Sequence, residues 1–264
     1  MNRVRIASVI RRHWLVLWRG PHRWFEIAFW PVMDVILWGS LGLYIAGTGP
    51  SSARNTTANL LLAGIVLFWT LTVVQMTMSI SIMDETSSRN LLNVLTTSVT
   101  PAEYLVGVAT FGLAKLTMTM TTLTLVSLGL YSFSITSLGW ATLPIILLLI
   151  INGWAIGFLV LGMMLRFGPS AEILTWGLNY VMLAVSGVFF PASALPGGLG
   201  HVAGVMPTGL AFGAMRTVLN GGAVPWGHLG LAAVGSLCVL ALALSFCAWM
   251  LRIFRRRGFV TRYS

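Results

Sequence analysis

Six long apolar stretches constrain the fold of this chain more than any other feature of its sequence. A helix needs about 20 apolar residues to cross a hydrocarbon core of about 30 Å, and each stretch is close to that length or longer. The stretches run near Phe25 to Ala46, Ala58 to Met83, Tyr104 to Phe133, Trp140 to Leu165, Glu172 to Phe190 and Gly227 to Leu251. The sequence therefore predicts an all-α, polytopic membrane protein with six transmembrane helices.

The small proportion of charged residues excludes a soluble protein. Only 8% of the 264 residues are charged and 57% are hydrophobic, whereas a soluble domain has about 25% charged residues. We therefore expect residues 1–264 to form a single transmembrane domain.

The positions of the basic residues predict the orientation of the spans. Thirteen arginines precede the first span, lie in the second and fourth connections or follow the last span, and the other connections hold only Arg54 and Arg216. The thirteen are Arg3, Arg5, Arg11, Arg12, Arg19, Arg23, Arg89, Arg166, Arg252, Arg255, Arg256, Arg257 and Arg262. Because basic connections stay in the cytoplasm, we expect a multi-pass protein of the cell membrane with both termini cytoplasmic. This topology explains the net charge of +10 without a nucleic-acid partner.

Residues 1–23 predict an interfacial helix ahead of the first span. Apolar side chains recur there at helical spacing, and the arginines occupy other directions. The apolar set is Ile6, Val9, Ile10, Trp14 and Leu17. Such a helix lies along the cytoplasmic leaflet with its arginines near anionic lipid headgroups. A mitochondrial targeting sequence is the alternative, but the span that follows almost at once favours the interfacial helix.

Residues 84–103 form a polar cytoplasmic interruption between the second and third spans. Its leucines, with Val99, recur on one side of a short predicted helix. Thr100 is a plausible cap and Pro101 a plausible first residue for the helix that follows. An apolar ridge outside the bilayer needs a covering surface, which is either another protein or the headgroups and the chain's own bundle.

Two ionisable residues lie inside predicted spans. Asp34 is about ten residues into the first span and Lys115 about eleven into the third. Charged groups at such depth usually face a bundle interior or a partner, so an ion pair between them is one hypothesis. The alternative is that Lys115 extends to the cytoplasmic boundary.

Residues 187–222 are too interrupted by proline and glycine to span and too apolar for an exposed loop. The pattern predicts two short helices, near residues 196–205 and 207–219, that dip back into the outer leaflet. Irregular backbone at that depth must be buried in protein or line a cavity. A bundle surface or an outer gate should therefore cover this re-entrant pair.

Together these features resemble the membrane subunit of type 2 ABC exporters over nearly the full length of the chain. The most specific matches are Glu85 with the leucines after it and TTSVTPAEYLVG, and FFPASALPGGL with the later Met206-Pro207 and Ala214-Met215-Arg216. One departure is Thr97-Ser98, which stands where the family often has Thr-Pro.

The resemblance implies a permease that pairs with a second permease subunit, as a homodimer, and receives force from two cytoplasmic ATPase subunits. Residues 87–99 would be the coupling helix. The implied coupling residues are Glu85, Arg89, Asn90, Leu91, Leu92, Leu95, Thr100 and Pro101. The outer gate would include Phe189, Phe190, Pro191, Pro196 and Pro207.

The ATPase must be a separate chain. A P-loop needs a lysine followed by Ser or Thr after a glycine, and the one lysine here, Lys115, follows Ala114. We therefore expect no catalytic residue, metal or cofactor on this chain, with ATP and Mg on the partner subunit.

The family exports substrates of several classes, and a small amphipathic one (a drug, lipid or glycolipid) suits a chain without a large outer domain. Candidate pathway residues are Trp30, Asp34, Trp38, Phe68, Trp69, Gln75, Met76 and Asn179. Packing and lipid contact are the alternative for the aromatic members. A self-contained channel or secondary transporter could share six spans, but would have less use for a docking helix. A membrane-embedded enzyme is disfavoured because HExxH is absent and the four histidines are scattered.

Overall fold

The computed structural model of the chain describes residues 1–48, 54–87 and 96–257, and these form helices without β-strands. The α-helices, in chain order, are α1 Arg3–Arg19, α2 Pro21–Thr48, α3 Arg54–Ser87, α4 Pro101–Tyr131, α5 Thr142–Phe167, α6 Ile173–Val185, α7 Leu199–Val205, α8 Pro207–Leu219 and α9 Trp226–Arg257. Short 3-10 helices lie at Ile135–Ala141, Gly168–Glu172 and Ala192–Ala194. The all-α prediction is confirmed.

Five helices in the described part of the chain are long and apolar enough to cross a membrane, or six if the bent pair α7–α8 is counted as one span. They correspond to the first four predicted spans and the last. The helix at the predicted fifth span, Glu172 to Phe190, is shorter than expected. It has 13 residues, about 20 Å, because a 3-10 turn with Gly168 at a positive φ precedes it and turns follow Val185.

Helix α3 is the centre of the bundle. Most of its apolar side chains are buried, and it packs against α2, α4, α5, α6 and α8. Two glycines of α5 allow α5 and α3 to lie close together. A Cβ on Gly153 would lie 2.7 Å from the Leu71 carbonyl oxygen, and a Cβ on Gly157 would lie 2.7 Å from the Met78 Cβ. Any movement of α3 must therefore be transmitted to several other helices.

A proline in α2 sets the register between α2 and α4. Pro31 has no N–H, so the carbonyl of Ile27 has no donor within the helix. The Thr119 hydroxyl of α4 donates to that carbonyl at 3.3 Å. This hydrogen bond fixes Thr119 of α4 at the same height as Ile27 of α2.

The helix α1 lies at the end of the bundle where α3 ends and α4 begins, which we call the α1 end. Asn2 caps it by accepting a hydrogen bond from the Val4 amide, and Gly20 separates it from α2, as predicted. Val9 and Leu17 are buried, and a Cβ on Gly107 of α4 would lie 2.7 Å from the Val9 Cγ1. The predicted amphipathic helix thus packs its apolar side on the bundle.

The bent helix pair predicted between residues 196 and 219 is confirmed. Helices α7 and α8 meet at Met206 with an angle of 82° between them. The first helix starts at Leu199 rather than 196 because Gly197 adopts a positive φ of 60° in the preceding turn. A hydrogen bond of 2.8 Å between the Ser186 and Thr208 hydroxyls joins the end of α6 to α8.

Candidate functional site

Three ion pairs between described residues connect helices at the α1 end. Arg12 pairs with Glu85, Arg5 with Glu103 at 3.6 Å, and Arg23 with Asp84 at 2.8 Å. The acidic partners stand at the end of α3 and the start of α4. They therefore flank residues 88–95, the part of the predicted coupling helix that lies outside the described residues.

Glu85 is the most buried charge of this group, with 2% of its surface exposed. The Arg12 Nη2 donates to its Oε2 at 2.7 Å, and the Tyr104 hydroxyl donates to its Oε1 at 3.4 Å. A buried carboxylate is costly unless it is paired and hydrogen-bonded. Glu85 therefore holds α1 and α4 against the last turn of α3.

Glu103 makes the corresponding connection on the α4 side. Its side chain accepts from the Thr100 amide at 3.0 Å, while the Glu103 amide donates to the Thr100 hydroxyl at 3.3 Å. This capping box confirms Thr100 as the cap and Pro101 as the first residue of α4. The backbone amide of Asn2 donates to the other Glu103 carboxylate oxygen at 2.7 Å. Both ends of the coupling region are thus bonded to α1.

His13 lies in the same interface, between α1 and α4. Its Nδ1 is 3.0 Å from the Val9 carbonyl oxygen and must carry the proton, because a carbonyl can only accept. Its ring lies 6.0 Å from that of Tyr104 and 5.5 Å from that of Phe111. Burial lowers the pKa of His13 from its ordinary value of 6.5, because the charged form loses its hydration. Folding therefore favours the neutral form of the His13 ring.

The sequence-predicted coupling residues have different outcomes. Glu85, Thr100 and Pro101 lie at the α1 end, whereas Arg89, Asn90, Leu91, Leu92 and Leu95 lie outside the described residues. The helix predicted for residues 87–99 is wrong at its end, because Thr97 and Ser98 form a bend and Val99 leads from it to the Thr100 cap. Sequence reasoning missed Arg12 and Glu103 as partners. The Thr-x-x-Glu spacing of Thr100 and Glu103 was the available signal for the second.

Among the predicted pathway residues, a polar group joins α3 to α6. The side-chain amide of Asn179 donates to the Thr72 hydroxyl and to the Gln75 Oε1, each at 3.1 Å. The Gln75 amide in turn donates to the Thr175 carbonyl at 3.0 Å. Gln75, Asn179 and Phe68 are all buried, and the hydrogen bonds of Gln75 and Asn179 hold the short α6 against α3 within one chain.

The other pathway candidates belong to α2 and α3, and one hydrogen bond between these helices joins two of them. The Trp69 indole N–H donates to the Asp34 Oδ2 at 3.0 Å. Trp38 stacks on Phe189 with ring centroids 3.6 Å apart, and Trp30 is 56% exposed. Met76 is half-buried farther along α3.

The hypothesis that Asp34 pairs with Lys115 is wrong. The contact between Thr119 and Ile27 places Lys115, one turn earlier in α4, level with Arg23. Asp34 is eleven residues beyond Arg23, about 16 Å along the helix. Lys115 instead lies within electrostatic range of Glu26, Arg23 and Asp84. Depth counted from predicted span boundaries failed because the first turns of α4, which hold Tyr104 and Gly107, lie beside α1 and not beside α2.

A comparison with protein families identifies the chain. The family model described as ABC-2 type transporter matches residues 5–220. The chain belongs to the ABC-2 type transporter family. It is accordingly a type 2 ABC permease subunit and a multi-pass membrane protein, and the family implies an ABC ATPase subunit as its partner. No curated protein matches the chain.

The match covers the α1 end of this ABC-2 permease and nearly all of the segment from Phe189 to Gly222. Within that segment the Arg216 Nη2 donates to the Phe190 carbonyl at 2.8 Å, which ties α8 to the chain ahead of Pro191. Pro191 precedes the Ala192–Ala194 turn, Pro196 follows it, and Pro207 opens α8. A Cβ on Gly235 of α9 would lie 2.8 Å from the Pro207 ring. Of the predicted gate residues, Phe189 thus packs on α2 and Pro207 on α9, whereas Pro191 and Pro196 are exposed.

Proposed function

We propose that this permease works in the cell membrane as the membrane-spanning subunit of an ATP-driven exporter, with two copies of the chain and two ATPase subunits. ATP and Mg are held by the ATPase subunits. The asymmetry of the arginines supports cytoplasmic termini and a cytoplasmic α1 end. The observation that carries the proposal is that two ion pairs, Arg12 with Glu85 and Arg5 with Glu103, bond the two flanks of residues 88–95 to one helix, α1.

The same contacts support a route for force. The coupling segment is residues 87–99, and its leucine ridge docks on the ATPase subunit. When that subunit closes, it pushes on the end of α3 and the start of α4. Glu85 and Glu103 are bonded to α1, so α1 moves with them as one body. Because α3 is the centre of the bundle, the push reaches α2, α5 and α6.

In this proposal, the outer gate opens through a movement of the bent helix pair α7–α8. Trp38 of α2 stacks on Phe189, and Arg216 holds the Phe190 carbonyl. A tilt of α2 and α3 therefore displaces the segment that precedes α7 and α8, and the outer gate parts. An amphipathic substrate enters from the inner leaflet or cytoplasm along the aromatic surface of α2 and α3 and leaves through this gate.

Copurification tests the docking step. The tagged permease is coexpressed with its ATPase subunit, and the ATPase retained per permease is measured for wild type and two variants. Leu92→Glu places a charge on the predicted leucine ridge and should abolish retention, because burying an unpaired charge is costly. Asn93→Glu adds the same charge on the opposite side of the predicted helix and should retain the ATPase.

The control decides the interpretation. Equal loss in both variants would show a general charge effect, and full retention of the ATPase by Leu92→Glu would refute docking through the ridge. Transport by the permease without any ATPase would instead support the self-contained channel or secondary transporter.

A further inference from the structure

Asp34 is a carboxylate near the middle of the membrane. Its hydrogen-bond donor, Trp69, lies close to the midpoint of the candidate span Thr56–Glu85. Trp69 lies 13 residues from one end of that span and 16 from the other, which is about 20 and 24 Å. An ionised group at such depth is expensive and generally has a partner of opposite charge.

No cation in the described part of the chain neutralises Asp34. The ion pairs there engage Arg5, Arg12 and Arg23, all at the α1 end. Lys115 lies level with Arg23, about 16 Å from Asp34 along the bundle. Arg54, at the opposite end of α3, begins that helix 15 residues before Trp69, about 22 Å away. The Trp69 indole supplies one hydrogen bond and no charge.

The surroundings of Asp34 suit an organic cation with an apolar body. Trp30 and Trp38 lie one turn before and one turn after Asp34 on the same face of α2. Aromatic faces attract cations, and most strongly where water is excluded. Met33, next to Asp34, and Leu37, three residues after it, are exposed and add apolar surface. The carboxylate, the indole rings and the apolar flank can thus contact the charged group and the body of one molecule.

We propose that Asp34 binds the positively charged group of the transported molecule, so that the substrates of this permease are amphipathic organic cations. This inference rests on the proposed export function and adds the charge of the substrate to it. Trp69 orients the carboxylate through Oδ2 and leaves Oδ1 for the ammonium group. Trp30 and Trp38 contact the substrate beside it.

A matched pair of probes tests the charge selectivity without an ATPase. Dansylcadaverine carries a primary ammonium group on an aromatic body, and its N-acetylated form has the same body without the charge. Binding to the purified permease in phosphatidylcholine nanodiscs is followed by energy transfer from tryptophan to the dansyl group, after subtraction of empty nanodiscs. Wild type should bind the cation at least about tenfold more tightly than the neutral form, a difference of about 1.4 kcal/mol. Equal affinities would overturn the proposal before any variant is made.

Variants locate the site. Asp34→Asn should remove the preference for the cation and leave the affinity for the neutral probe unchanged, and Asp34→Glu should keep the preference. The control is Glu26→Gln, which removes an exposed acidic charge from the same helix near the α1 end. A preference that survives in Asp34→Asn, or that is lost equally in Glu26→Gln, would contradict a site at Asp34.

The result is independent of the docking test. If the ATPase copurifies as proposed but both probes bind equally, only the inference about charge fails. If the cation preference depends on Asp34 but no ATPase binds, the export function fails and the cation site remains.

Discussion

The pair formed by Arg12 and Glu85 should contribute more to stability than any exposed ion pair of this protein. Removing one partner of a fully buried pair costs about 3–5 kcal/mol. Glu85 is 2% exposed, but the Arg12 side chain is 40% exposed, so water screens part of the interaction. We therefore expect a coupling free energy of about 1–3 kcal/mol in a double-mutant cycle of Arg12→Gln and Glu85→Gln.

The comparison pair is Arg23 and Asp84. Their side chains are 27% and 38% exposed, and exposed pairs typically couple by about 0.2–1 kcal/mol. Free energies of unfolding are measured for each single and double variant by titration of detergent-solubilised permease with sodium dodecyl sulfate. A coupling for Arg12 and Glu85 no larger than that for Arg23 and Asp84 would refute the view that burial makes this contact the strong joint between α1 and α3.

Three further predictions address the fold and its pH dependence. Gly209→Ala should lower the thermal unfolding temperature of the detergent-solubilised permease by disrupting the α7–α8 bend, because its Cβ would lie 1.8 Å from the Ala203 carbonyl oxygen. Gly213→Ala has open space around its Cβ and should not lower that temperature. Thr119→Val should cost about 1 kcal/mol in wild type and less in Pro31→Ala, where α2 satisfies its own carbonyl; an equal cost in both backgrounds would contradict the proposed register bond. Because the pKa of His13 is lowered on folding, the unfolded chain binds more protons, so stability should fall as pH drops through about 6.5, and His13→Gln should reduce that fall.

Features set by nearby residues were predictable from the sequence. The positions of the spans follow from the lengths of the apolar stretches. The break after α1 follows from Gly20, and the start of α4 follows from the Thr100 cap and Pro101. The bend at Met206 follows from the prolines and glycines around it. The shortness of α6 was not predictable from hydropathy, because its apolar stretch continues through residues that form turns.

Features that depend on tertiary register were not predictable. Glu85 was identified through a family resemblance, but its partner Arg12 is 73 residues away, and no local pattern links them. The pairing of Asp34 with Lys115 failed for the same reason, since the bond between Thr119 and Ile27 sets the relative height of α2 and α4. Charge spacing along one helix does not contain that information.

The most direct test of the central claim is substrate uptake into inside-out proteoliposomes that hold the permease with or without its ATPase subunit. The account predicts uptake of dansylcadaverine only when the ATPase subunit, ATP and Mg are all present. Equal uptake by the permease alone would contradict it, because the force on residues 87–99 would then have no role.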